Sequence, residues 1–173
     1  LNSSAIGASV VITGGVEFVK SDGTRYVVLG TNDGRLFTMS AAGAASQFAS
    51  GFTSATKWYF ATFNDQLICC NRADAPRRFS GGQTSALTGG PPAMGGPVAV
   101  HGNRVFMLDG AAGAKSAVVW SELNNGELWG TAGAGRASIS PNDGSDLKDL
   151  VPSINELVLI KGKRPYRLQG TSP

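Results

Sequence analysis

Histidine, cysteine and charge are all scarce in this sequence. His101 is the only histidine, so a metal centre built from several imidazoles is excluded by number. A Ser-His-Asp or Cys-His arrangement would have to gather loop residues that carry no local signature. The two cysteines, Cys69 and Cys70, are neighbours, and adjacent side chains on a strand point to opposite faces. Neither a metal pair nor a mutual disulfide fits that geometry, and two buried small apolar groups is the simplest reading. No run of about 18 apolar residues is present to span a bilayer. Neither an initiator Met nor a signal-peptide pattern opens the chain at Leu1, and the abrupt QGTSP ending gives the expectation of a processed or truncated piece of a longer polypeptide.

Charged residues make up only 16% of the 173 residues, with 15 Lys and Arg against 12 Asp and Glu. The net charge of +3, with no basic run, gives no support to a phosphate-tracking surface. What is abundant is glycine, at 24 copies, alongside an ordinary apolar share of 42%. That combination predicts one well-buried core cut into many short elements by turns, which makes all-β the expected fold class. The alanine-rich stretch AAGAASQFAS has no sustained apolar face and is a poor helix candidate.

A repeat lies beneath unequal loops. Its copies read VEFVKSDGTRYVVLGTNDGRLFTMS, WYFATFNDQLICCNRADAPRRFSG, VAVHGNRVFMLDGAAGAKSAVVWSE and LKDLVPSINELVLIKGKRPYRLQG, roughly residues 15–40, 58–80, 98–122 and 147–170. Each is an extended strand, a polar turn, a nearly all-apolar strand, a variable loop and a strand bearing an aromatic. The turn residues Asp22, Asp65, Asn103 and Asn155 stand 43, 38 and 52 residues apart, in or near the range of about 40 to 50 that marks propeller blades. The middle strands YVVL, LICC, VFML and LVLI are apolar at consecutive positions, so both faces of each pleat need cover, whereas the tight turns make the sheets antiparallel. Antiparallel sheets stacked face against face supply that cover. The expectation is repeated antiparallel blades forming a β-propeller or part of one, as a single domain over residues 1–173, with GGQTSALTGGPPAMGG and NNGELWGTAGAGRASISPNDGSD as surface connections.

Other motifs have plain readings. Asp143, Asp146 and Asp149 share a loop but lack the alternate carboxylates and distant Glu of an EF-hand. TNDGRLF, residues 31–37, resembles the Asp-box of sialidase-like propellers, with the Asp33–Gly34 spacing shorter than in that motif. Gly-rich GGPPAMGGP has no lysine and is broken by prolines, so it fails as a phosphate cradle. Arg77, Arg78, Arg164 and Arg167 read either as a basic patch or as edge-strand charges that block unwanted sheet addition. Ser121 is placed to cap one short turn over Glu122 and Leu123.

The segment VVWSELNNGELW is distinctive. Together with VAVHGNRVFML before it and LKDLVPSINELVLIKGKRPYRLQG after it, it resembles the nozzle, or tail tubular, and stabilisation proteins of short-tailed bacteriophages and prophages. These often carry Tyr/Val-Trp-Ser-Asp/Glu-Leu-Asn-Asx-Pro-Glu-x-Trp between two propeller blades. This chain matches at Trp120, Ser121, Leu123, Asn124, Glu127 and Trp129 and departs at Gly126, where proline is common, which predicts a looser turn. The resemblance spans Trp58 to Gly170. It implies a virion structural protein, made in the host bacterial cytoplasm and built into a phage tail or head-to-tail connector. The implied partners are other tail proteins, in a homo-oligomeric ring whose lumen passes DNA without specific nucleic-acid binding. Trp129 is expected to fold its loop back as an apolar plug, making the six matched residues a structural staple with no catalytic residue, metal or cofactor. The alternative is a glycan-binding or sialidase-like propeller with a ligand at the central axis and Trp58, Tyr59 and Trp129 as sugar platforms.

Overall fold

The computed structural model describes residues 6–54, 56–162 and 164–169. Its regular structure is all-β: antiparallel sheets, each a simple up-and-down meander in chain order. The first sheet holds β1 (Ile12–Val19), β2 (Arg25–Thr31), β3 (Leu36–Met39) and β4 (Ala45–Ala49), and the second β5 (Tyr59–Phe63), β6 (Gln66–Cys70), β7 (Arg77–Phe79) and β8 (Ser85–Ala86). The third holds β9 (Gly95–His101), β10 (Arg104–Asp109), β11 (Ala117–Trp120) and β12 (Gly135–Ser138), and the fourth β13 (Leu147–Pro152), β14 (Leu157–Lys161) and β15 (Arg164–Leu168).

Turn chemistry sets the hairpins. Asn64 and Asp65 adopt φ of 47° and 57°, and Gly102 and Asn103 adopt 53° and 56°, the paired positive values of two-residue hairpins whose twist matches the strands. The three-strand unit read from the sequence omits an outermost strand. β4, β8 and β12 fall in segments expected to be poor helix or connecting loop, because these edge strands are short and lack apolar alternation.

Each sheet's first strand is an edge strand, and β1 packs beside β5, β5 beside β9, and β9 beside β13. The blades therefore fan out in order from a common inner rim, with the core lying between them. Phe18, Val28, Leu36, Phe48, Leu67, Cys69 and Phe79 fill the space between the first two sheets. Phe63, Ile68, Cys70, Val105, Met107 and Val119 fill the next, and Leu108, Val118, Leu147, Leu157 and Leu159 the third. In β6, Leu67 and Cys69 thus face backward while Ile68 and Cys70 face forward, which is why LICC is apolar throughout.

The expectation that all the middle strands are shielded on both flanks by sister sheets needs correction at both ends. The outward face of β2 and β3, at Leu29 and Phe37, is covered by Ile6 and Val10 rather than by a sheet. On β14, Leu157 and Leu159 are fully buried, whereas Val158 is half-buried and Ile160 is exposed. Among the described residues, no hydrophobic cluster joins the fourth sheet to the first.

Candidate functional site

The segment from Trp120 to Trp129 leaves the end of β11 and folds against two sheets at once. Trp129 is 8% exposed and packs with Phe63, Leu87, Val105 and Val119 in the core between the second and third sheets. Its indole Nε1–H donates to the Gly126 carbonyl at 2.9 Å, and its amide donates to the Gly89 carbonyl at 2.9 Å. A buried aromatic of this size removes about 150 to 250 Å² from water, which anchors a loop otherwise rich in polar groups. Trp120 packs in the adjoining core, with its ring 6.1 Å from that of Phe106.

The polar members tie the same loop down. The Asn124 amide donates to the Asn103 carbonyl at 2.8 Å, and Asn64 Nδ2 donates to the Asn124 carbonyl at 3.1 Å, so this residue links the β9–β10 turn to the β5–β6 turn. Glu127 pairs with Arg78 of β7 at 2.6 Å and accepts a hydrogen bond from Thr88. Leu123 stands apart, with 46% of its surface exposed.

Ser121 corrects an expectation. Its hydroxyl accepts the Val105 amide at 3.0 Å from the neighbouring strand and donates to the Glu122 carbonyl at 3.1 Å, so it extends the β10–β11 pairing instead of capping a turn. Gly126 sits close to the core. A Cβ there would stand 3.0 Å from the Phe63 ring and 3.3 Å from Val105, so glycine marks a tight approach of the loop to the core.

Two residues that sequence reasoning missed organise the loop. Glu122 accepts hydrogen bonds from Thr131 Oγ1 at 2.6 Å, from its neighbour's amide at Leu123 at 3.0 Å and from the Gly133 amide at 3.1 Å. The Thr131 bond foremost, then the Leu123 amide, holds its carboxyl below the usual value. Arg104 reaches from β10 to the Ser121 carbonyl at 2.9 Å and also to the Gly133 carbonyl. Glu122 lies inside the quoted motif, yet apart from the adjacent Leu123 amide its carboxylate partners Thr131 and Gly133 are nine and eleven residues away in sequence, so no local signal marks it.

The remaining sequence candidates fall in several places. Trp58 is 3% exposed, with its Nε1–H on the Thr31 carbonyl at 3.1 Å. Trp58 and Trp129 present no open face to a sugar, which corrects their reading as platforms; Tyr59 is half-buried beneath Lys57, whose Nζ is 5.0 Å from its ring centroid. Asp33 accepts from Thr31 Oγ1 at 2.6 Å and from Arg35 Nε at 2.7 Å, a local turn network. Asp143 pairs with Lys161 at 2.9 Å, and the buried ammonium also donates to the carbonyls of Ile139 and Ser140 at 2.5 and 2.6 Å. Asp146 faces Lys115 and Lys148 instead. Arg78 and Arg77 sit on β7, an interior strand, so they are not edge charges, whereas Arg164 and Arg167 sit on the edge strand β15. His101 ends β9 with its ring 6.3 Å from that of Phe106. Burial pushes both cysteine thiols far above their usual range, which makes them packing groups. Among the described residues no helix is long and apolar enough to cross a membrane.

No family model matches the chain, and no curated protein matches it. Solved structures do resemble it. The computationally designed Ika4 protein superposes with a TM-score of 0.60 at 16% identity, covering 94% of this chain and 93% of that one. The extracellular domain of BT4673 from B. thetaiotaomicron gives 0.59 at 12% identity, with 90% of this chain against 20% of that one. BamB from Moraxella catarrhalis gives 0.52 at 16% identity, with 85% against 40%. The chain thus matches nearly the full length of the designed protein but less than half of the two natural ones. These neighbours are all-β and propeller-like, and at such identities the likeness is one of fold: the chain is a set of β-propeller blades.

Proposed function

We propose that the chain is a virion structural protein, a component of a phage tail or head-to-tail connector that works through protein contacts and catalyses no reaction. The observation that carries this reading is the Trp120–Trp129 segment. Its sequence resembles the tail-nozzle pattern, and its side chains serve as a brace between two blades. The solved neighbours speak for the fold alone, so the phage assignment rests on that segment. The partners in this reading are other tail proteins and further copies of the chain in a ring, with the virion as the place of residence after assembly in the bacterial cytoplasm. A lumen formed by such a ring would pass DNA with weak, sequence-blind contacts, in keeping with a net charge of only +3.

The test is biochemical. An antibody raised against the purified chain is used to probe density-banded particles from a host that carries the gene, alongside the soluble lysate. The protein should co-band with capsid protein and persist after high-salt washing. Its presence in the lysate together with its absence from washed particles overturns the proposal.

A further inference from the structure

On the outer rim, between the first and second sheets, lies a groove of about 580 Å³. One wall is the end of β4 and the turn after it, including Phe48 and Phe52; the other is Asp74, Arg77 and Gln83 from the second sheet. β4 is the outermost strand of its sheet and pairs only with β3, so the backbone groups on its far side meet no strand. The second sheet's own outermost strand, β8, is two residues long and leaves the groove open beside it.

The two charged groups in the groove are in different states. Asp74 is occupied: its Oδ2 accepts the Thr53 amide at 2.8 Å and Asn71 Nδ2 at 2.6 Å, and its Oδ1 accepts Thr53 Oγ1 at 2.9 Å. Burial works against its charge, but the Asn71 and Thr53 bonds outweigh that and hold the carboxyl below its usual value. Arg77 is the opposite case. Its guanidinium lies over the Phe52 ring, 6.0 Å from the centroid, and its Nε is buried without a hydrogen-bond partner. Among the described residues it has no carboxylate partner, whereas Arg78 beside it is paired with Glu127.

The two Nη–H groups at the tip of a guanidinium form parallel donors that match the two oxygens of a carboxylate, and Arg77, with no carboxylate partner among the described residues, leaves them for an incoming one. A free sheet edge adds main-chain hydrogen bonds for any extended chain laid along it, with side-chain pockets supplying the specificity. We propose that this groove docks an extended acidic segment of a partner protein, its backbone beside β4, a carboxylate on Arg77 and an apolar side chain against Phe48 and Phe52. The inference goes beyond the phage-tail reading and stands or falls apart from it.

Titration of the intact, nitrogen-15-labelled protein followed by NMR tests it, with a blocked short peptide of alternating valine and glutamate and its glutamine counterpart as probes. The glutamate peptide should shift the Arg77 Nε–Hε resonance and the amides of Gln47 to Phe52 at millimolar or lower concentration, and the glutamine peptide should bind at least tenfold more weakly. Arg77→Gln should remove the difference between the peptides, and Arg77→Lys, which keeps the charge but not the fork, should restore only part of it. No shift at millimolar glutamate peptide, equal binding of both peptides, or preferential binding of a single-stranded oligonucleotide at the same resonances would each overturn the proposal. The wild-type titrations decide the matter even where Arg77→Gln loses its fold.

Discussion

Trp58 shows how one side chain dictates its neighbours. Its indole presses on Gly30 of β2 while its own backbone and Cβ press on Gly14 of β1, and a Cβ at either glycine would collide with Trp58. Gly30→Ala therefore forces the buried ring out of place, and overpacking of this kind costs about 1 to 3 kcal/mol. A urea melt should show the midpoint falling with an unchanged slope. Asp143 makes a second residue-scale prediction. The Lys161 ammonium foremost brings its carboxyl down to about 2 from the ordinary 3.8. A folded value below the unfolded one means that the pair adds stability in full above about pH 4 and loses it as pH falls toward about 2. The stability gap between wild type and Asp143→Asn should accordingly shrink across that window; a gap that stays constant would remove the pair from the acid response.

Among the elements, β14 is the informative one, because its two faces differ. Leu159 is fully buried against the third sheet, while Ile160 is 36% exposed. Leu159→Ala should cost about 2 to 5 kcal/mol, the range for a buried leucine. Ile160→Ala should cost well under half of that, because much of its surface is already in water. Comparable losses at the two positions in chemical denaturation would mean that something covers the outer face. The sequence LVLI shows no such asymmetry, since periodicity reports which residues are apolar and not whether a sheet follows. The staple loop has the same character. Trp120 and Trp129 stand out in the sequence, whereas Glu122 and Arg104 acquire their roles only when Thr131, Gly133 and the end of β11 are brought together.

For the whole molecule, stability should follow the sandwiching of sheets. β6 and β10 are covered from both sides, with Leu67, Ile68, Cys69 and Cys70 all within 1% of full burial, so their amides sit in the most protected unit. Hydrogen exchange should be slowest there, intermediate in β2 and fastest of the middle strands in β14. Equal protection in β14 and β6 would contradict the one-sided cover of the fourth sheet. Propeller blades were legible in the chain because they rest on local physics: Asn-Asp and Gly-Asn turns, the period-two pleat, and apolar runs that require two covers. Antiparallel pairing and the pairing of Cys69 and Cys70 with opposite cores follow from those features alone.

Tertiary structure decided the rest. The outermost strands β4, β8 and β12 are held by pairing with a preformed sheet, so their own composition does not announce them. Whether Arg77 is paired, whether Trp58 is exposed, and what covers Leu29 and Phe37 all depend on groups distant in sequence that approach only once the blades are stacked. Spacing and polarity along a chain carry the first kind of information; the second exists only in the contacts between sheets.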